Sequence, residues 1–155
     1  MAPSIFRRID PDNPHHLGDI SEFDDVDVLR VYIAGPMTGI SHFNYPAFYD
    51  AHDEIRANND GVVILSPAHD DDGEIIAPPI PAYAKSHDFY LRQALAKLLE
   101  ANAIYMLPGW EKSTGARLEL TMAKTMGMEL FRHPNATDCE KIELLTITDP
   151  PPKQN

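Results

Sequence analysis

The sequence predicts an α/β domain in which a parallel sheet is covered by helices on both faces. Three observations predict it. Short apolar runs end at or near Gly or Pro, longer stretches between them repeat their apolar residues at helical spacing, and the two kinds alternate along the chain. A strand buried on both faces reads as a continuous apolar run, and strands alternating with helices of this length form parallel βαβ units.

The first run, LRVYIA at 29–34, stops at Gly35-Pro36 and predicts a buried strand. Over 45–58, Phe48, Ala51, His52 and Ile55 fall on one helical face, and Pro46 suits a first helical turn. Gly61 breaks the chain before a second strand at 62–65, which Pro67 ends. Residues 86–101 place Phe89, Leu91, Leu95, Leu98 and Leu99 at amphipathic spacing, with Ser86 as N-cap. A third strand is expected at 103–107 and a third helix at 114–126. Gly127 then stops that helix before a fourth strand at 128–131. Outside this middle, residues 1–28 are Asp-, Pro- and His-rich and read as an irregular acidic arm. The domain proper is expected over 29–133, followed by an extension at 134–155 with a Pro-rich tail.

Composition narrows the function classes. The chain has 155 residues, enough for one core, and a hydrophobic fraction of 43%. No apolar run approaches the roughly 20 residues of a membrane span, and the N-terminus has no signal-peptide h-region. The single cysteine, Cys139, fits a reducing cytoplasm. A net charge of −11 argues against a nucleic-acid duplex as partner. It leaves room for a single nucleotide, which backbone amides at a helix N-terminus can hold.

Two stretches at predicted strand ends carry the chemistry, where open α/β sheets bind ligands. Gly35-Pro36-Met37-Thr38-Gly39 follows the first strand. It reads either as a tight strand-to-helix turn or as a loop that lets a ligand approach the backbone. Ser113-Thr114-Gly115 opens the third helix, and it reads as simple capping or as an anion site; the two are compatible. Glu119 lies about a turn and a half into that helix, beside Ala116, Met122 and Ala123. It is either a ligand-facing carboxylate or a half-exposed partner of Lys112 or Lys124. Neither the Gly35–Gly39 loop nor Gly109-Trp110-Glu111-Lys112-Ser113 is a Walker loop.

VYIAGPMTG at 31–39, FNYPAFYDAHDEIR at 43–56 and LPGWEKSTGARLELTMAKTMG at 107–127 resemble the nucleoside 2-deoxyribosyltransferase-like superfamily. The similarity spans residues 30–132 and is greatest to a small, phage-associated branch. The resemblance implies a flavodoxin-like or Rossmann-like sheet of about four to five strands, a homodimer or larger assembly, and no cofactor. It implies cleavage of the N-glycosidic bond of a nucleoside or nucleoside 5′-monophosphate. Glu119 is then the nucleophile, Tyr32 orients it, and Gly35 and Gly39 border the sugar and phosphate. Ser113 stands where transferases of free nucleosides carry aspartate, which favours a phosphorylated substrate, since serine adds no repelling charge.

One departure bears on activity. Family members carry two aspartates at the positions of Ala94 and Asn102, the first assisting the leaving base. Asp88 or His87, further up the same helix, is the available substitute. The full set of expected substrate contacts is Gly35, Met37, Gly39, Ser113, Gly115, Asp88 and Trp110. Trp110 and Tyr105 also read as strand-end packing. His69-Asp70-Asp71-Asp72-Gly73-Glu74 does not fit a calcium loop and reads as a solvated loop, or as a lid near the base pocket. His15-His16, His42 and His52 lack zinc-ligand spacing, and no metal is expected. The expectation is a cytoplasmic, phage-encoded N-glycosidase of (deoxy)nucleoside 5′-monophosphates. The alternatives are a base-exchanging deoxyribosyltransferase and a non-catalytic nucleotide-binding protein.

Overall fold

The computed structural model describes residues 28–139. The irregular arm, apart from Val28, and the Pro-rich tail fall outside the described residues.

Seven main elements follow in order: β1 (Arg30–Ala34), α1 (Tyr45–Asn58), β2 (Val63–Leu65), α2 (His87–Leu99), β3 (Ala103–Met106), α3 (Thr114–Thr125) and β4 (Glu129–Arg132). The four strands form one parallel sheet in the order β2-β1-β3-β4. This is the expected α/β fold of the flavodoxin or Rossmann type.

Side-chain alternation along the strands divides the core in two. Val31 and Ile33 of β1, with Ala103 and Tyr105 of β3, pack under α1 against Phe48, Ala51 and Ile55. Tyr32 and Ala34, with Ile104 and Met106, face the other way and pack under α2 and α3 against Leu98, Ala116 and Leu120. Because α2 and α3 lie on one face and each returns between parallel strands, both run antiparallel to the strands. Their N-termini therefore emerge at the carboxyl ends of the sheet. The chain leaves β1 towards one edge and β3 towards the other, so the crevice between those two strands is the topological switch point.

At the opposite end the strands are clamped. Asn102 Oδ1 accepts from the Arg30 amide at 2.7 Å, and Asn102 Nδ2 donates to the Val28 carbonyl at 2.8 Å. The Asn102 backbone bridges Arg30 and Glu129 as well. Asn102 is thus a fastener at the amino ends of the strands, the end of the sheet opposite the cavity.

Two details of the helices differ from the periodic reading. In α2 only Ala94 and Leu98 are buried, and Phe89 and Leu99 are exposed. The helix lies over a cavity for much of its length, so less of its apolar face meets core than the spacing suggests. Ser86 occupies the N-cap position but makes no capping bond. The packed unit also runs past 133, because Ala136 and Cys139 are buried and Lys124 Nζ donates to the Cys139 carbonyl at 2.7 Å.

Candidate functional site

The site is built around a carboxylate in a place where helices ordinarily carry an apolar residue. In α3 the buried positions are Ala116, Glu119, Leu120 and Ala123, a stripe with helical spacing. Glu119 therefore faces the sheet, 5% exposed, over the side of β1 from which Tyr32 projects. The Tyr32 hydroxyl donates to the Glu119 carboxylate. Glu119 Oε2 is buried with no hydrogen-bond partner. Burial disfavours the charged form and pushes the Glu119 carboxyl up to about 8, while the bond from Tyr32 pulls it down. Burial, followed by the charge of Glu119, holds Tyr32 well above the usual phenol range. Pairing of Glu119 with Lys112 or Lys124 is excluded: the carboxyl is buried against Tyr32, and Lys124 is engaged with Cys139.

Both residues open onto a cavity of about 900 Å³ at the carboxyl ends of the strands. This is at the upper end of the roughly 300–1,000 Å³ typical of small-molecule sites. Gly35, Met37 and Thr38 of the loop after β1 form one side, and Ser113, Gly115 and Ala116 at the start of α3 form another. The face of α2 that bears Leu91, Ala94 and Lys97 closes a third. Phe43, Tyr45 and Phe48 of the α1 region, with Pro67, Ile76 and Ile80 of the long connection after β2, make the remainder largely apolar.

Each wall has a local reason. Gly35 passes so close to Leu107 that an added Cβ would lie 2.8 Å from the leucine Cβ. The glycine is thus required by packing at the end of β1. Gly39 sits at φ +80° with no atom near its missing Cβ, so it serves the turn. His42, Phe43 and Asn44 are all left-handed, at φ 54°, 52° and 60°, and Asn44 Nδ2 donates to the Pro36 carbonyl at 2.8 Å. At α3, Ser113 is the N-cap, its Oγ accepting from the Ala116 amide at 3.2 Å. The start of α3 is therefore a capped helix mouth, and Ser113 and Gly115 line the cavity there.

The structure brings Tyr32, Gly35, Met37, Ser113, Gly115 and Glu119 together around this cavity. Gly39, Asp88 and Trp110 are not among the lining residues. Asp88 is exposed, 3.9 Å from Arg92, and does not line the cavity, so it does not stand in for the acid expected at the position of Ala94. Trp110 is fully buried in the α2–α3 core, and its indole nitrogen donates to the Thr137 carbonyl at 2.9 Å. The packing reading of Trp110 holds and the ligand-bordering one is corrected.

Four features escaped the periodic reading. Lys97 Nζ donates to the carbonyls of Ser66 and His69, at 2.9 and 2.5 Å, and so ties the connection after β2 to α2. His69 and His52 stack with ring centroids 4.0 Å apart, and burial pulls the His69 imidazole down to about 4. Asp70 Oδ1 accepts from the amides of Asp72 and Glu74, each at 2.9 Å, so this acid braces a turn. The segment read as a solvated loop or lid is thereby pinned at its base, and Tyr49 donates to the Ile76 carbonyl at its far side. Finally, Thr38 Oγ1 and His87 Nδ1 approach to 3.4 Å across the cavity mouth. Only the position of Lys97 one turn beyond Ala94 signalled any of these contacts.

Among the described residues no group of three or more His, Cys, Asp or Glu side chains is arranged to hold a metal ion. Nor is any helix among them long and apolar enough to cross a membrane.

Fold and site together define a parallel α/β domain with a buried acid in the second turn of a helix, beside a cavity of small-molecule size. Residues 29–132 match the model of the domain of unknown function DUF4406, and the chain belongs to that family. No curated protein matches the chain significantly.

Proposed function

We propose that this protein hydrolyses the N-glycosidic bond of a (deoxy)nucleoside 5′-monophosphate, releasing free base and sugar phosphate. The observation that carries the reading is Glu119: a carboxyl buried on an apolar helix stripe, bonded by Tyr32, with Oε2 unpartnered, in a residue that lines the cavity. Resemblance to the nucleoside 2-deoxyribosyltransferase-like superfamily over residues 30–132 supports it and assigns the same residue. In this reading Glu119 attacks C1′ as the base departs with the bonding electron pair, giving a glycosyl ester. Water then cleaves the ester and restores the carboxylate. Attack requires the ionised form, and sugar hydroxyls donating to Oε2 lower the carboxyl from about 8 towards neutrality. Ser113 and the amides at Gly115 receive the phosphate, and Gly35 and Met37 border the sugar. A second base in place of water would make the same ester a deoxyribosyl donor.

One observation favours a second reading, a nucleotide-binding protein without turnover. The α2 wall level with Glu119 is Ala94, so no carboxylic acid stands there to protonate the departing base. Such a group contributes about 10²–10⁴-fold.

The test is chromatographic detection of free base from a panel of ribo- and deoxyribonucleoside monophosphates, with and without a second base. Wild-type protein should release base, and Glu119→Ala should lose at least about 10³-fold. A nucleotide that raises the melting temperature yet is returned intact would favour the binding protein. Neither release nor binding would end both readings.

A further inference from the structure

Helices α2 and α3 run side by side in the same direction, and Leu91 Cδ1 lies 3.7 Å from where a Gly115 Cβ would be. From that level Ala94 lies about 4.5 Å further along α2, and Glu119 about 6 Å further along α3, at 1.5 Å per residue. At the height of the attacking carboxyl, α2 thus offers the methyl group of a buried alanine. A neutral base departs from a sugar with an electron pair and a negative charge, which a proton donor in the wall ordinarily quenches.

Among the described residues, the other ionisable groups of the cavity wall stand elsewhere. Asp71 and Glu100 are exposed and act on Lys97, and Glu100 lies about 9 Å along α2 from Ala94. The Lys97 ammonium donates to the Ser66 and His69 carbonyls. His87 lies about 10 Å in the other direction. Tyr83 is exposed, and the Tyr90 hydroxyl is turned to the Lys85 amide, ahead of the helix, at 3.0 Å. Burial raises the phenols of Tyr32 and Tyr45, so both hold their protons more tightly than an ordinary phenol. What remains beside Glu119 is apolar or aromatic: Phe43, Tyr45, Phe48, Leu91, Ala94 and Ala116. Such a wall, holding one carboxyl whose Oε2 is buried and unpartnered, suits a cation. Opposite charges attract more strongly away from water, and aromatic faces add to the attraction.

We propose that the bond cleaved joins the sugar to a heterocycle that already carries a positive charge, a pyridinium or an N-alkylated purinium, and not to a neutral base. This substrate class rests on the glycosidase reading of Glu119. Glu119 forms a bond to C1′ as the C1′–N bond breaks, and the electron pair of that bond passes to the ring nitrogen. The pair cancels the positive charge, so the heterocycle leaves neutral and needs no proton. Water then attacks C1′ of the ester, gives a proton to solvent and frees the carboxylate. Ala94 is in this setting a fitting wall for the leaving group, and turnover is compatible with it.

The experiment compares base release by the full chain from 7-methylguanosine 5′-monophosphate and guanosine 5′-monophosphate, with nicotinamide mononucleotide as the pyridinium probe. The charged glycosides also break more easily without protein, so the ratio of kcat/KM values is set against the ratio of uncatalysed rates. A wall without an acid should preserve that ratio, whereas an acid serving the neutral base would shrink it by about 10²–10⁴-fold. Ala94→Asp, which supplies an acid, should raise release from guanosine 5′-monophosphate at least about tenfold and leave the methylated nucleotide little changed. Binding is measured in parallel. Wild-type should hold the methylated nucleotide about tenfold tighter, and Glu119→Gln, which keeps the shape and removes the charge, should erase that preference. A shrunken ratio in wild-type, or equal affinity for the two nucleotides, would overturn the substrate class while base release itself stands. Tighter binding of the charged nucleotide with no release from any probe would end the reaction reading and leave the preference for a charged heterocycle in place.

Discussion

Glu119 and Tyr32 act as one unit, and each residue's behaviour is set by the other's burial. The phenol donates to the carboxyl and favours its ionised form, opposing desolvation. Tyr32→Phe removes that donor, so the pH at which Glu119 ionises should rise. The acidic limb of the pH–rate profile should move up with it, and base release at neutral pH should fall about tenfold or more, since a bond to a charged group is worth about 1.5–3 kcal/mol. An unshifted profile would mean that Tyr32 only packs. Gly35 makes a contrasting case: its value is spatial. Gly35→Ala drives a Cβ into Leu107 and should lower stability by about 1–3 kcal/mol in urea unfolding. At this scale the sequence is legible where a residue type breaks the local pattern, as Glu119 does on an apolar stripe. Trp110 was ambiguous because a large aromatic at a strand end serves core and ligand equally well. The stacking of His52 on His69 was invisible, since the two residues meet only after α1 and the segment beyond β2 pack together.

The seven main elements lie within about two residues of the periodic expectation, because most combine a period with a Gly or Pro stop. The connection over 66–86 has no period, and beyond the turn at Asp70–Gly73 it owes its course to side chains from elsewhere. Lys97 is the principal tether. Lys97→Met leaves the Ser66 and His69 carbonyls without their ammonium partner while keeping the aliphatic stem. Amide exchange at His69, Gly73 and Ile76, whose backbone bonds shape this segment, should accelerate, with β1 and β3 unaffected. A uniform acceleration across the sheet would instead mark Lys97 as a contributor to global stability. The outward turn of Leu99 and Phe89 follows from the same cause: α2 is half wall of a cavity, and spacing alone cannot distinguish a face that meets core from one that meets a void.

For the whole molecule, two buried titrating centres oppose each other. Glu119 binds its proton more tightly folded than unfolded, so its contribution is full below about 4.5 and is lost as pH rises through about 8. His69 is shifted the other way, chiefly by burial with neighbouring His52 next. Its contribution is full above about 6.5 and is lost as pH falls towards about 4. The two oppose between about 4.5 and 6.5, which predicts a plateau there and a decline on either side. Urea unfolding from pH 4 to 8.5 should show it. Glu119→Gln should abolish the decline above about 6.5, and stability still falling there in the variant would refute the assignment.

The fastener at Asn102 has a consequence for how such a protein diverges. It joins the chain at Val28, Arg30 and Glu129 at one end of the sheet, while the cavity loops all lie at the other. Strand register is therefore settled without any residue that meets a ligand. Loops after β1, β2 and β3 are free to change length and chemistry across a lineage while the folding problem stays solved. Apart from packing positions such as Gly35, a new substrate can be acquired at one end of the sheet while the fastening at the other stays as it is.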